Sequence, residues 1–490
     1  MSASRSSQAS RSPRKLWLRP PAWAIALAAR YVPFADAASP DLPLGRLLRL
    51  SLFQAAIGMS MALLVGTLNR VMIVELGVPA WWVALSVALP LVFAPLRALI
   101  GYRSDTHPSP LGLKRLPYLW MGGLLMFGGL AIMPFALLLL AEAADHTLWL
   151  GRLGAALAFI VVGAGMQITQ TAGVALASDV SPVDKRPRVV ALLYAMLLVG
   201  LITGSALLGL LLQQFSAVRL IQVVQGAAVV TVVLNLMSLW KQEARGARRG
   251  AREANGFKRN WARLMAIPKM RRFLWTVGLG TAAFSMQDIV LEPFGGEVLG
   301  LDVGLTSALT ALSASGALLA FILSARLLSR GLDACRLAAA GALLGLPALA
   351  FVIFSAPLAS PNLFRAGAAL IGFGGGLFSV GMLYTAMQMP ERDLTGMVLG
   401  AWGAVQATAA GAAMALGGVL RDVVNALATQ GVFGEALNTP ATGYSVVFHV
   451  EIYLLFVVLI ALGPLVRRSV RTSAAPGRPH HPFGLAELPG

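Results

Sequence analysis

Uncharged apolar stretches of about 20 residues recur along this chain and restrict it to one class of fold. Residues 121–141 and 189–212 contain no Asp, Glu, Lys or Arg. A stretch of this length is long enough for an α-helix to cross a bilayer, whereas the strands of a transmembrane β-barrel alternate apolar and polar residues. The mean hydropathy of +0.74 agrees with a chain that is largely surrounded by lipid. The sequence therefore predicts an all-α membrane protein.

Twelve segments are long and apolar enough to be predicted as transmembrane helices. Their limits are 50–72, 80–101, 117–140, 151–176, 189–213, 218–240, 273–294, 303–326, 336–356, 362–388, 396–420 and 444–466. A long basic connection separates the first six helices from the last six. The predicted parts are a mobile basic N-terminal segment (1–49), a six-helix half (50–240), a basic linker (241–272), a second six-helix half (273–468) and a disordered tail (469–490).

The distribution of positive charge predicts the orientation of the helices and excludes a nucleic-acid partner. The formal net charge is +18. If the N-terminus is cytoplasmic, 33 of the 39 Lys and Arg residues lie in cytoplasmic segments and four lie at the outer ends of helices. This asymmetry is typical of the positive-inside rule, so we expect both termini in the cytoplasm and the protein in a bacterial inner membrane. Because the basic residues are spread over the loops and are not interleaved with stacking aromatic residues, we expect membrane lipids and no nucleic acid as partners.

The sequence contains no pattern that predicts catalysis or a metal site. It lacks the glycine-rich nucleotide motifs, a Gly-x-Ser-x-Gly turn and a His-Glu-x-x-His pair. The single cysteine, Cys335, allows neither an intramolecular disulfide nor a cysteine-based metal centre. We therefore predict that the protein is not an enzyme and holds no resident metal.

The loop between the second and third predicted helices carries a recognisable pattern. Gly101 and Asp105 are followed, after an insertion, by Gly112, Lys114 and Arg115. This order is similar to the signature of the major facilitator superfamily, which is also built of two six-helix halves. The resemblance implies a Gly that lets helices approach and an Asp that meets a neighbouring helix end or an Arg. The alternative is a loop whose charges obey only the positive-inside rule.

Three Gly-x-x-x-Gly pairs within predicted helices indicate close helix packing. They are Gly200 with Gly204, Gly341 with Gly345, and Gly372 with Gly376. We expect these residues to be structural.

A few polar residues fall at one depth near the outer ends of the first and seventh predicted helices. Arg70 lies about 30 Å, and Asp288 and Glu292 about 22 and 28 Å, from the cytoplasmic ends of these helices at about 1.5 Å per residue. In the superfamily that the chain resembles, both helices border the central cavity, so we expect Arg70 to pair with Asp288 or Glu292. Asn69 and Gln287 belong to the same candidate site. The group is either an outer latch or ligand anchor, or a snorkelling Arg beside a structural ion pair.

Two glutamines of the fourth predicted helix are further candidates for ligand contact. Gln167 and Gln170 lie three residues apart and therefore on one face of the helix. Their amides could hydrogen-bond the carbonyl groups of a ligand or join neighbouring helices. Met286 is another candidate, in a set of apolar residues that are equally ordinary packing residues: Met166, Phe284, Phe373 and Phe378.

Four longer runs resemble one family within that superfamily. They are residues 66–76 (GTLNRVMIVEL), 94–107 (APLRALIGYRSDTH), 115–120 (RLPYLW) and 283–296 (AFSMQDIVLEPFGG). The runs are similar to those of the PucC/LhaA family, also called the bacteriochlorophyll-delivery family, and the similarity covers residues 43–468. The run 94–107 is nearer to the LhaA branch, which is linked to assembly of the light-harvesting 1 antenna.

The resemblance implies an assembly factor of the photosynthetic inner membrane. Such a factor helps antenna polypeptides to receive bacteriochlorophyll, or a precursor of it, carried as cargo or bound pigment. Implied partners are antenna polypeptides, reaction-centre assembly intermediates and pigment-synthesis enzymes. An imidazole can ligate the magnesium of a chlorin ring, and His449, at the rim of the last predicted helix, is the candidate ligand. A secondary transporter of a porphyrin-like or other small solute is the alternative, with Asp288 and Glu292 as candidates for proton coupling.

Overall fold

The computed structural model of the chain describes residues 42–92, 115–141, 148–182, 186–240, 242, 256–388 and 395–473. Within these ranges the chain is almost entirely helical and contains no strand. The described ranges contain eleven helices that are long and apolar enough to cross a membrane. They also contain one shorter apolar helix, Ala80–Leu91. The chain is a multi-pass membrane protein, and the predicted all-α membrane fold is confirmed. Of the segment predicted to be mobile (1–49) and the tail predicted to be disordered (469–490), residues 1–41 and 474–490 fall outside the described residues. Residues 44–49 and 469–473 are helical.

The helices of the described ranges are labelled α1 to α13 in chain order. They are α1 (Leu44–Glu75), α2 (Ala80–Val92), α3 (Leu116–Ala141), α4 (Leu148–Val180), α5 (Arg186–Leu211), α6 (Ala217–Leu239), α7 (Gly256–Ala266), α8 (Met270–Glu297), α9 (Val303–Ser329), α10 (Ala334–Ser355), α11 (Pro361–Met387), α12 (Thr395–Thr429) and α13 (Pro440–Ser473). α7 is a short helix inside the predicted linker, with Trp261 exposed and Leu264 buried. The other helices follow the predicted spans, with ends that differ by several residues.

Glycines bring the helices together where larger residues would collide. A Cβ atom at Gly200 of α5 would overlap the carbonyl oxygen of Ala55 in α1. A Cβ atom at Gly372 of α11 would overlap the carbonyl oxygen of Ser313 in α9. Such close backbone contact is how helices associate in lipid, where the hydrophobic effect does not drive them together. The structural role predicted for the Gly-x-x-x-Gly pairs is confirmed.

Each six-helix half closes on itself at the face where α1 begins and α13 ends, which we call the termini face. Arg46, in the first turn of α1, donates a 2.8 Å hydrogen bond to the carbonyl oxygen of Gln242, just after α6. Arg272, in the first turn of α8, donates a 2.9 Å hydrogen bond to the carbonyl oxygen of Ala461 in α13. The first helix of each half is therefore tied to the last helix of the same half by an Arg at an equivalent place.

The two halves contact each other at the other end of the bundle, which we call the opposite face. The backbone N–H of Trp81 in α2 donates a 2.8 Å hydrogen bond to Oδ2 of Asp422 in α12. Gly304 of α9 approaches α5 so closely that a Cβ atom there would lie 2.6 Å from the carbonyl oxygen of Gly209. These contacts join α2 to α12 and α5 to α9 across the two halves.

Candidate functional site

α8 is interrupted near its middle, although the sequence predicted an unbroken helix over residues 273–294. One turn of 3₁₀-helix, Met286–Ile289, replaces the α-helix after Ser285. A break inside a membrane helix releases backbone groups that must find partners within the protein, because hydrocarbon offers none. Oε1 of Glu451, a fully buried residue of α13, accepts the backbone N–H of Gln287 at 2.7 Å. Glu451 therefore supports the interrupted turn.

α1 is also irregular where it faces this break. Its segments Ala62–Leu68 and Val71–Glu75 are π-helical, a geometry that is frequent at functional sites. Asn69 lies between the two segments, and its Nδ2 atom donates a 2.7 Å hydrogen bond to the carbonyl oxygen of Ile289. Asn69 thus satisfies a backbone carbonyl at the break in α8.

Glu292 lies buried between α1, α8 and α9. Its Oε1 atom accepts a hydrogen bond from Thr310 of α9. Gly66 of α1 makes room for this carboxylate, because a Cβ atom at Gly66 would overlap Oε1. Thr67 and Ser307, whose hydroxyl oxygens are 2.9 Å apart, join the same pair of helices one turn away. Glu292 is therefore part of a joint between the two halves.

A cavity of about 300 Å³ lies beside the break in α8. Its walls come from α5, α8, α9, α11 and α12, and Asp288 is the only charged residue among the lining residues of the described chain. Oδ1 of Asp288 accepts a 2.9 Å hydrogen bond from Nε2 of Gln287. Phe284, Phe378 and Trp402 also line the cavity, and Nε1 of Trp402 has no hydrogen-bond partner among the described residues. The volume is at the lower end of the range of about 300–1,000 Å³ for small-molecule pockets.

Arg70 makes no direct salt bridge with Asp288 or Glu292, although its guanidinium is near enough to Glu292 for an electrostatic interaction. Its NH1 atom lies 2.6 Å from Oε1 of Glu75, and its NH2 atom donates a 2.9 Å hydrogen bond to the carbonyl oxygen of Leu301. The reason is the π-helical end of α1, in which residues five apart stand above one another. The guanidinium still packs against α8, since its Nε atom is 3.0 Å from the Cβ position of Gly296. Arg70 thus joins the two halves through a backbone carbonyl and not through an ion pair.

An ionic cluster at the opposite face was not predicted from the sequence. The guanidinium of Arg421 in α12 is 2.5 Å from Oε2 of Glu297 and 2.7 Å from Oδ1 of Asp422. It also donates a 2.9 Å hydrogen bond to the hydroxyl of Tyr444 in α13, which donates in turn to Glu297 at 2.8 Å. Together with the bond from Trp81 to Asp422, this cluster joins α2, α8, α12 and α13.

A sequence signal for this cluster exists in retrospect. The sequence-based prediction ends this helix at residue 420 and treats Arg421 as an ordinary charge at its outer end. The apolar pattern continues to Thr429, so Arg421 and Asp422 are adjacent opposite charges inside a helix. Charges in such a place call for partners on neighbouring helices.

Gln167, Gln170 and Met286 do not line the cavity beside the break in α8, which we call the central cavity. Gln167 is buried, and its Oε1 atom has no hydrogen-bond partner among the described residues. Gln170, three residues on, is partly buried on the same helix, α4. Met286 is buried at the break in α8, where its carbonyl oxygen lies 2.7 Å from the Cβ position of Gly417 in α12. Met286 is therefore a packing residue at the break.

His449 lies further inside its helix than its predicted place at the rim of the last helix. α13 begins at Pro440 and not near residue 444, so His449 is more than two turns inside it. The side chain is exposed, and its Nδ1 atom lies 2.7 Å from the carbonyl oxygen of Ser445. It is not part of a protein-only metal site, since the described residues contain no group of three or more His, Cys, Asp or Glu side chains that could hold a metal ion.

The signature loop falls mostly outside the described residues. This applies to Gly101, Asp105, Gly112 and Lys114. Arg115 is described and buried, and its Nε atom is 3.2 Å from Oδ2 of Asp179 near the end of α4. The basic end of this loop thus pairs with an acidic residue of the neighbouring helix.

Proteins of similar sequence come from Rhodobacter capsulatus, Rhodovulum sulfidophilum and Cereibacter sphaeroides. A protein of Rhodobacter capsulatus, described as an uncharacterized protein in the puhA-bchM intergenic region, is 51% identical over 469 residues, or 94% of this chain and 98% of that protein. A protein PucC of Rhodovulum sulfidophilum is 53% identical over 403 residues, or 81% of this chain and 89% of that protein. A bacteriochlorophyll synthase 44.5 kDa chain of Rhodobacter capsulatus is 27% identical over 436 residues, or 86% of this chain and 96% of that protein. A protein PucC of Cereibacter sphaeroides is 45% identical over 451 residues, or 91% of this chain and 97% of that protein.

Solved structures of transporters share the fold. A bacterial homologue of the human lysosomal transporter Spinster, in an inward-facing and unoccupied conformation, has a TM-score of 0.65 at 15% identity and covers 88% of this chain and 98% of its own. Likeness at this identity shows the fold alone, and it confirms the predicted major-facilitator-like fold. The family model described as PUCC protein matches residues 67–470, from α1 to α13. The chain therefore belongs to the PUCC protein family.

Proposed function

We propose that this protein is an assembly factor for a bacterial light-harvesting antenna and that it acts without catalysing a reaction. The family match carries the proposal, because it begins in α1 and ends in α13 and so takes in nearly the whole membrane domain. Relatives that are named PucC are similar over most of the chain and not over one segment of it. The similarity therefore extends over both six-helix halves.

The antenna and the cargo are narrower parts of this proposal. Light-harvesting 1 is the favoured antenna, since the run 94–107 is similar to the LhaA branch. Bacteriochlorophyll or a precursor is the proposed cargo, which the name of the 27% identical relative supports. The partners are antenna polypeptides, reaction-centre assembly intermediates and pigment-synthesis enzymes. The protein acts in the inner photosynthetic membrane, with the termini face in the cytoplasm.

Purification from the membranes of a photosynthetic bacterium tests the proposal. The tagged full-length protein is isolated in mild detergent, and its absorption spectrum and its co-purifying polypeptides are recorded. We expect chlorin absorption together with antenna subunits, and enrichment of light-harvesting 1 subunits over those of any peripheral antenna. An equally abundant, tagged multi-pass protein from the same membranes is the control. Repeated absence of antenna subunits, pigment-synthesis enzymes and pigment, at the level of the control, would contradict the proposal.

The central cavity favours a secondary transporter as a second candidate function. Asp288 is its one charged lining residue within the described chain, and it lies at the interrupted turn of α8 between the two halves. Substrate sites of transporters with repeated halves commonly lie at such a place, beside discontinuous helices. At about 300 Å³ the cavity suits a small solute better than a porphyrin-like one. Its charge suits a solute that carries a positive charge or hydrogen-bond donors.

Proteoliposomes distinguish this candidate from the first. Uptake of radiolabelled small amines, driven by an imposed pH gradient, would support transport if Asp288→Asn abolishes it. Glu435→Gln, which removes an exposed carboxylate outside the cavity, is the matched control. Uptake that is equal with and without the protein would exclude these amines as substrates.

A further inference from the structure

An aromatic and apolar stripe runs along the outward face of α13. Tyr453, Phe456 and Ile460 are 66%, 51% and 72% exposed. His449 is exposed at the start of the same stripe. The spacings of four, three and four residues place all four side chains on one face of the helix. In a membrane this face contacts lipid, so His449 is a polar side chain on a lipid-facing surface.

The depth of His449 makes this exposure unusual. The residue lies nine positions after Pro440, about 14 Å along a helix that rises about 1.5 Å per residue. The span Pro440–Val466 has 27 residues and is longer than the hydrocarbon layer of about 30 Å, so His449 falls inside that layer. Ionisable side chains in this region ordinarily face the bundle interior or a partner, and they mark functional sites.

The hydrogen bond made by one ring nitrogen determines what the other nitrogen can do. Nδ1 lies 2.7 Å from the carbonyl oxygen of Ser445. A carbonyl oxygen can only accept, so Nδ1 carries the hydrogen and donates it. In the neutral imidazole Nε2 is then left with its lone pair, and it has no partner among the described residues. Metal-ligating histidines are commonly oriented in this way, with the second nitrogen bound to a carbonyl oxygen.

The surroundings of His449 select the kind of metal that it could bind. A bare metal ion needs several protein ligands, and the described residues contain no such group. A metal that is already held by the four nitrogens of a macrocycle needs only one. A flat apolar macrocycle would also cover the exposed rings of Tyr453 and Phe456, which a hydrated ion would not.

We propose that Nε2 of His449 is an axial ligand for the magnesium of a bacteriochlorophyll-type pigment that lies on the outward stripe of α13. This inference rests on the pigment-handling part of the proposed function and places it on the lipid-facing surface, apart from the central cavity. From there the pigment can pass sideways to an antenna polypeptide without leaving the membrane. The transfer exchanges one axial ligand for another and needs no oxidant or reductant.

Two pigments that differ only in whether the macrocycle holds magnesium test whether His449 binds that metal. The full-length protein in lipid nanodiscs is titrated with bacteriochlorophyll a and, in parallel, with its metal-free form, bacteriopheophytin a. We expect bacteriochlorophyll a to bind at least about tenfold more tightly, because the metal-free pigment cannot form the bond to Nε2 and about 1.4 kcal/mol of binding free energy corresponds to a factor of ten. The pigment's Qx absorption band, which responds to the number of magnesium ligands, should shift on binding.

Variants at the stripe assign the ligand. His449→Leu should abolish the preference for the magnesium pigment and the band shift. Phe354→Leu, at an exposed apolar position of α10 outside the stripe, should preserve both. In His449→Gly, added 1-methylimidazole should restore the band shift. Equal binding of the two pigments, or a preference that survives His449→Leu, would overturn the inference while leaving pigment handling intact. Failure of the wild-type protein to bind either pigment would overturn the inference, and co-purification of antenna subunits would still decide the assembly role separately.

Discussion

The two faces of α13 place polar side chains in contrasting surroundings. On the inward face, Tyr444 and Glu451 are fully buried and are bonded to Glu297 and to the backbone of Gln287. On the outward face, His449 is exposed and keeps one ring nitrogen without a partner among the described residues. The bonded groups hold the interrupted α8 and the opposite face together. His449 is hydrogen-bonded only to Ser445 of its own helix, so we expect the fold not to depend on it.

The largest loss of stability should follow removal of the cation on the inward side. Arg421→Met keeps much of the side-chain volume but leaves Glu297, Asp422 and the Tyr444 hydroxyl without their shared partner. Breaking a buried ion pair from one side costs about 3–5 kcal/mol. We expect low yield and a clearly lower apparent melting temperature in detergent. Arg326→Met, at an exposed position in α9, is the control and should change stability by less than about 0.5 kcal/mol.

An unchanged melting temperature in Arg421→Met would show that the cluster is only a surface contact. The stabilising role assigned to the bonded residues on the inward face of α13 would then lose its strongest support.

The carboxylate that supports the break in α8 should have the next largest effect. Glu451→Leu removes the acceptor of the Gln287 N–H, and an unsatisfied buried donor costs about 1–3 kcal/mol. Glu451→Gln retains an oxygen at that place and should lose much less. Hydrogen exchange of the amides at Met286–Ile289, measured by mass spectrometry, should rise in Glu451→Leu and stay near wild type in Glu451→Gln. Equal exchange in the two variants would contradict the supporting role.

Replacing a tyrosine by phenylalanine on each face of α13 compares the contribution of a bonded hydroxyl with that of an exposed one. Tyr444→Phe removes a hydroxyl that is bonded to Arg421 and Glu297, and bonds to charged groups contribute about 1.5–3 kcal/mol. Tyr453→Phe removes an exposed hydroxyl and should change stability by less than about 0.5 kcal/mol. Thermal unfolding of the two variants in the same lipid nanodiscs measures the difference. Similar melting temperatures would mean that the hydrogen bonds of the Tyr444 hydroxyl do not stabilise the protein.

The fold was predictable to a large extent because apolar length is a direct physical requirement for crossing a bilayer. The glycine contacts, such as that of Gly372 with Ser313, also followed from sequence spacing. The partner of Arg70 did not, because the π-helical end of α1 places Glu75 above it and hydropathy does not report helix type.

The site was predictable only in part, since its bonds cross between helices that are far apart in sequence. Asp288 was identified from its depth, and Asn69 and Gln287 were included in the same candidate site. The structure brings all three to the break in α8. The Arg421 cluster was missed because α12 was ended too early. The place of His449 was misjudged because α13 begins four residues before its predicted start.

The most direct test of the contrast is the stability of pigment-free His449→Leu. The substitution replaces a polar ring by an apolar side chain on a lipid-facing surface and breaks only a bond within the same helix. We expect its apparent melting temperature in lipid nanodiscs to equal or exceed that of the wild-type protein, because a residue kept for ligand binding commonly costs stability. A fall as large as that caused by Glu451→Leu would contradict the account, since it would show that His449 holds the fold together as the inward residues do.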